Sequence, residues 1–201
     1  MSGAAHVVIR PLAPDLIQEV VRIHVEGLGY TVNSRLGKAH LAFLYQKMAA
    51  DPTCYAGVAM VEGQPVGIVS GTLNEKRLKS SLIKSMRALR LAGLAIGLVL
   101  RPTLLVGWLQ SMVVALPVFH EGKEIAAVLT ALAVASDCQR RGVGKELVLA
   151  LEVFFAENNV GSYRLDTLIS NHRAIKFYTD LGFRQAARRA GSVILLRTIG
   201  Q

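Results

Sequence analysis

The chain is poor in cysteine and aromatic residues, with two cysteines, one tryptophan and 6% Phe, Trp and Tyr among 201 residues. Cys54 and Cys138 can form one disulfide at most, and no recognised metal-ligand motif is present. Two free thiols in a reducing compartment are therefore expected, with no metal. Aromatics are few and form no patch interleaved with lysines and arginines, which argues against a nucleic-acid partner. Unbroken apolar runs fall short of the roughly eighteen residues that a membrane-spanning helix requires. The first residues, MSGAAHVVIRPLAP, lack an apolar core behind a basic start, so a cytoplasmic protein is expected.

Acidic residues are also scarce. Against 23 Lys and Arg stand 14 Asp and Glu, giving a net charge of +9 and a pI near 9.9. Such a balance suits an anionic partner, whether a phosphate-bearing ligand or an anionic membrane face. Hydrophobic residues make up 52% of the chain and mean hydropathy is +0.39, so a sizeable core is expected. The length fits a single domain over residues 1–201.

Periodicity divides the chain into short alternating elements. His6 to Arg10 reads as a strand, followed by a helix with Asp15 as N-cap and Gly29 as its stop. Ser34 opens a second helix that runs to Asp51-Pro52. Tyr55 to Met60 and Pro65 to Thr72 form a hairpin around Glu62-Gly63-Gln64. Ile125 to Val134 is a near-continuous apolar strand, expected to be buried on both faces. A helix from Gly142 to Asn158 places Leu147, Leu151, Phe154 and Phe155 on one side. A strand over 163–169, a helix from His172 ended by Gly182, and strands over 183–187 and 192–198 complete the chain. The alternation predicts an α/β fold around a mixed sheet flanked by helices.

Residues 75–119 break this order. Lys76, Arg77, Lys79, Lys84, Arg87 and Arg90 fall among leucines and serines, and two apolar blocks follow, separated by Arg101-Pro102. Two readings stand: a helical insertion packed on the domain or on a second copy in a homodimer, or a basic amphipathic element over 76–118 lying on the inner face of a membrane.

The segment richest in chemistry is Asp137-Cys138-Gln139-Arg140-Arg141-Gly142-Val143-Gly144-Lys145. Glycines two apart allow a tight turn whose amide groups are open to a ligand. The turn opens a helix, where unpaired N–H groups and the helix dipole favour an anion. Arg140, Arg141 and Lys145 add positive charge, so a pyrophosphate is the natural occupant. Glu146 after Gly144-Lys145 excludes the Gly-Lys-Ser/Thr nucleotide loop, and the third glycine of a dinucleotide fingerprint is missing.

Gln139-x-x-Gly142-x-Gly144 after an apolar strand, followed by Asn171-x-x-Ala174-x-x-x-Tyr178-x-x-x-Gly182-Phe183, resembles the GNAT superfamily of N-acetyltransferases. The resemblance runs from about Ile125 to Arg197 and is looser before; the insertion is outside the common core. It implies the GNAT fold and acetyl-CoA as co-substrate. Leu132, Ala133 and Val134 would offer backbone hydrogen bonds to the pantetheine arm. Gln139 belongs to the loop motif, and Arg140, Arg141, Gly142, Val143, Gly144 and Lys145 would cradle the pyrophosphate. Asn171 would lie near the pantetheine arm, and Tyr178 would protonate the departing thiolate, a role the chemistry of a thioester independently needs filled. Asp166 matches the position of the glutamate in the ribosomal-protein alanine acetyltransferases and is the candidate base; Glu121, Glu124, His24 and His40 stand further out.

The leading expectation is direct transfer of an acetyl group to a primary amine, small or carrier-linked, with an amino sugar of surface polysaccharide biosynthesis suggested by the basic, apolar insertion. The alternatives are an N-terminal amine of a peptide or protein, and a non-catalytic acyl-CoA sensor at a membrane.

Overall fold

A computed structural model describes residues 6–85, 119–120, 123–189 and 191–200. Its elements are β1 (Val8–Pro11), α1 (Ile17–Leu28), α2 (Val32–Arg35), α3 (Lys38–Ala50), β2 (Cys54–Val61), β3 (Gln64–Thr72) and α4 (Glu75–Ser85). There follow β4 (Phe119–His120), β5 (Lys123–Glu124), β6 (Val128–Val134), α5 (Val143–Glu157), β7 (Ser162–Leu168), α6 (His172–Asp180), β8 (Arg184–Arg189) and β9 (Ser192–Thr198). Seven strands form a mixed sheet in the order β1-β2-β3-β6-β7-β9-β8, and β4 pairs with β5 separately. The expected α/β architecture is the observed one.

The chain divides into two compact units, 1–72 with 129–159, and 73–128 with 160–201. In the first, β1, β2 and β3 are antiparallel and β6 lies beside β3. The β2–β3 turn follows from Glu62 at φ 51° and Gly63 at φ 77°, the paired positive angles of a tight two-residue hairpin. Helix α5 lies close to β3 because the strand carries glycine there: a Cβ on Gly71 would sit 2.7 Å from Leu151 Cδ1. Leu147, Leu151 and Phe155 are fully buried on the inner face of α5. In the second unit, β7 runs parallel to β6 with Val128 opposite Arg164, and antiparallel to β9, which pairs in turn with β8.

Three expectations need correction. Asp15 does not cap α1; it lies in a 3-10 turn, Pro14–Leu16, and Leu16 takes the cap position. Ser34 does not open the second helix. Thr31 caps the short α2 through its hydroxyl, and Gly37 at φ 101° breaks the run before α3 begins at Lys38. Strand β6 starts at Val128, not Ile125, and is not buried on both faces, since Thr130 is exposed and Leu132 and Val134 are half-buried. The reading of 75–119 is described only at its start and end. Helix α4 buries Leu78 and exposes Lys76, Arg77 and Lys84, as an amphipathic element should, whereas 86–118 lies outside the described residues. Among the described residues no helix is long and apolar enough to cross a membrane.

Candidate active site

The glycine loop leaves β6 through a 3-10 turn, Ser136–Cys138. Ala135 N–H donates to Val66 O at 2.8 Å, and the Gln139 amide donates to Val134 O at 2.9 Å, so both ends of the turn are tied to strands. Gln139 thus serves the loop's own shape, and one lone pair of the Val134 carbonyl is already occupied. Arg140 (φ 62°) and Gly142 (φ 82°) are both left-handed. That conformation suits Gly142 and places it as the N-cap of α5, where it offers no side-chain acceptor. Gly142 O accepts from Lys145 and Glu146, leaving the amide groups of the first turn with no capping side chain. Arg140, Arg141 and Lys145 are exposed around this turn, while Val143 is buried and anchors it. Uncapped amides, a helix dipole and three cations together favour an anion at this end of the helix.

Leu132, Ala133 and Val134 precede the loop on β6, with Ala133 buried against α1. A Cβ on Gly27 of that helix would come 3.0 Å from the Ala133 methyl. Leu132 to Lys145 all belong to the first unit, whereas Asp166, Asn171 and Tyr178 belong to the second.

Asn171 is the N-cap of α6, its Oδ1 accepting from Ala174 N at 3.1 Å. The motif asparagine therefore fixes the start of the helix that carries Tyr178. The Tyr178 ring is 7% exposed and meets Phe177 and Phe183 edge-on at 5.1 and 5.2 Å between centroids. Phe183 also meets Tyr163 edge-on, so the Tyr178 ring is held within an aromatic cluster.

Asp166, one pleat beyond Arg164 on β7, is largely buried. Its Oδ2 accepts from Arg164 Nη1 at 2.5 Å, while Oδ1 is buried without a partner among the described residues. Burial raises the carboxyl's pKa most; Arg164 opposes this, Glu75 adds to it, and the result is about 6. A carboxylate that ionises there is a competent proton acceptor near neutrality.

The outlying base candidates fare differently. His24 is buried, with Nδ1 2.6 Å from the Tyr45 hydroxyl, and burial pushes its pKa down to about 4. Burial also lowers His40. Glu124 pairs with Lys76 at 2.8 Å, and Glu121 lies outside the described residues. Burial and Asp137 together raise the Cys138 thiol, which disfavours a nucleophilic thiolate. No cluster that could hold a metal ion occurs among the described residues.

Two residues that sequence reasoning passed over complete the surroundings of Asp166. Arg164 is a nearly buried cation, and Glu75 meets it from α4. A charged pair at i and i+2 in an otherwise apolar strand, Arg164 and Asp166, was the available signal, because alternate strand residues share a face.

His24 and Asp166 respond oppositely to acid. His24 folds with its pKa lowered from 6.5 to about 4, so its contribution to stability is lost as pH falls through that window. Asp166 folds with its pKa raised from 3.8 to about 6, so the cost of burying its charge is relieved as pH falls from 6 towards 4. Each effect amounts to about 3 kcal/mol, and the two largely cancel. Relative to the parent, His24→Gln should gain stability between pH 6.5 and 4 and Asp166→Asn should lose it. Denaturant unfolding across that range checks both signs.

The family model for acetyltransferases of the GNAT family matches residues 18–183. No curated protein sequence matches the chain. Among solved structures, the PaiA N-acetyltransferase from Thermoplasma acidophilum, in complex with coenzyme A, superposes with a TM-score of 0.64 at 13% identity, covering 96% of this chain and 99% of that one. Ard1 from Thermoplasma volcanium gives 0.60 at 20% identity, over 97% and 99% of the two chains. The ribosomal-protein-S18-alanine N-acetyltransferase from Escherichia coli gives 0.58 at 15% identity, over 98% and 96%.

Proposed function

Because the chain belongs to the acetyltransferase (GNAT) family, we propose that it passes an acetyl group directly from acetyl-CoA to a primary amine, with Asp166 as base and Tyr178 as acid. Acetyl-CoA is the donor, and the uncapped, cationic start of α5 suits its pyrophosphate. The backbone of Leu132 to Val134 would hold the pantetheine arm. Asn171 contributes by capping the helix on which Tyr178 stands.

The reaction needs three proton movements: two from the acceptor nitrogen and one to the departing sulfur. The acceptor arrives as an ammonium and becomes nucleophilic when Asp166 takes a proton. The amine nitrogen then bonds to the thioester carbonyl carbon, giving a tetrahedral oxyanion that strand amide groups can stabilise. As the intermediate collapses, the C–S bond breaks, the thiolate receives the Tyr178 proton, and the nitrogen gives up its second proton, which returns to the Tyr178 phenolate. The products are the N-acetyl amine and CoA. What carries this reading is the Asp166 carboxyl, largely buried, its pKa pushed up to about 6 by burial, with Oδ1 lacking a partner among the described residues.

For the acceptor we favour an amino group on an anionic carrier, such as a nucleotide- or lipid-linked amino sugar. The exposed cations Lys76, Arg77 and Lys84 of α4 support that choice. A peptide α-amine is the second reading. Asp166 supports it by its position, and a structural neighbour, the Escherichia coli protein, is named for such a substrate. CoA release should be followed with acetyl-CoA against amino sugars, their nucleotide-linked forms, peptides with free N-termini, polyamines and amino acids. Turnover led by carrier-linked amino sugars supports the first reading, and turnover led by peptides replaces it with the second. CoA binding with no turnover on any class would contradict both.

A further inference from the structure

Arg164 lies in mid-strand with 3% of its side chain exposed. A guanidinium at that depth is stable only when paired. It holds two carboxylates, Asp166 Oδ2 through Nη1 and Glu75 Oε2 through Nη2, each at 2.5 Å. Glu75 comes 89 residues earlier in the chain, as the first residue of α4. Its other oxygen takes Lys79 Nζ at 2.8 Å. Backbone bonds fix the meeting from both sides: Glu75 N–H donates to Ala126 O, and Arg164 N–H donates to the adjacent Ala127 O. The arrangement occupies one oxygen of Asp166 and leaves the other buried, with no partner among the described residues.

We propose that Glu75 is a positioning residue for the acetyl transfer: by sharing the Arg164 guanidinium it fixes Asp166 through Oδ2, presents Oδ1 as the proton acceptor, and offsets the arginine charge that would otherwise leave Asp166 too weak a base. The inference rests on Asp166 being the base and adds what makes it one. An arginine alone at hydrogen-bond distance holds a carboxyl below its ordinary range, because it favours the charged form. Among the described residues, the charged groups facing Asp166 are Arg164 on its own strand and Glu75 and Lys79 on α4, while on β9 its partner is the apolar Ile194. Glu75 raises the proton affinity of Asp166, and Arg164 and Lys79 lower it. Glu75 opens the 75–119 segment, so this segment supplies one member of the cluster as well as the basic face of α4.

Opposite charge changes on α4 test this. Glu75→Gln keeps the shape and an acceptor oxygen but removes the negative charge, whereas Lys79→Gln removes a positive one. Carbon-13 NMR of the Asp166 carboxyl reads its titration midpoint without any turnover, and the acid limb of kcat/KM reads its use in the reaction. The midpoint should move to lower pH by about one unit in Glu75→Gln and to higher pH in Lys79→Gln, and the kinetic limb should follow in both. Midpoints that stay put, or that move in the same direction, overturn the role of Glu75 while leaving the base assignment standing. Midpoints that move without the kinetic limb overturn the base assignment and, with it, the role of Glu75 in the reaction.

Discussion

Tyr178→Phe should lower kcat by about 10²- to 10³-fold, the usual scale for removing a positioned general acid. The dissociation constant for CoA should stay within about twofold, because the groups assigned to the donor are backbone and cationic groups elsewhere. Folding should be little affected, since phenylalanine preserves the edge-on ring contacts with Phe177 and Phe183. The loss should also depend on the leaving group. A thiol of low pKa departs without a proton, so an activated acetyl thioester should recover much of the rate in the variant. Steady-state kinetics with acetyl-CoA and such a thioester measures this directly. An equal loss with both donors would assign Tyr178 to packing alone.

Asp166→Asn should lower kcat/KM for the amine by about 10²-fold at neutral pH, because the asparagine cannot accept the proton. In the parent, activity should rise with pH through about 6 as the carboxyl ionises. That limb should vanish in the variant. The gap between the two should narrow at alkaline pH, where the amine sheds its proton to solvent unaided. A pH–rate profile of both proteins checks all three points. The variant should also show the acid-side stability loss described above, so its unfolding must be measured at each pH before rates are compared. An acid limb that survives in Asp166→Asn would place the base elsewhere.

The elements that sequence exposed well are those whose physics is local. The β2–β3 hairpin was legible because Glu62-Gly63 sits between two apolar runs and tight turns demand positive φ. The loop before α5 was legible because Gly142 and Gly144 stand among three cations at the end of an apolar strand. Local signals misled where two of them competed. Asp15 is a good cap by composition, but Pro14 draws it into a 3-10 turn and Leu16 takes the position. Ser34 is a good cap too, yet Thr31, three residues earlier, is the one that bonds its amide. The exposure of Thr130 could not be foreseen in an apolar strand, because burial depends on which elements lie over it. The environment of Asp166 was the least legible. Its partner Arg164 is two residues away, but the carboxylate that balances that arginine comes from α4, far back along the chain. No periodicity links Glu75 to Arg164; only the fold brings them together.

Direct transfer is tested most simply by incubating the protein with acetyl-CoA alone and then adding the amine. Intact-protein mass spectrometry and a thiol assay for CoA would be read at both stages. Direct attack predicts no acetylated protein and negligible CoA before the amine, then CoA released in step with the N-acetyl product. Neither Cys54 nor Cys138, both buried and outside any disulfide, should carry the acetyl group. Stoichiometric acetyl-protein, formed without amine and discharged when amine is added, would contradict direct transfer and the roles given to Asp166 and Tyr178.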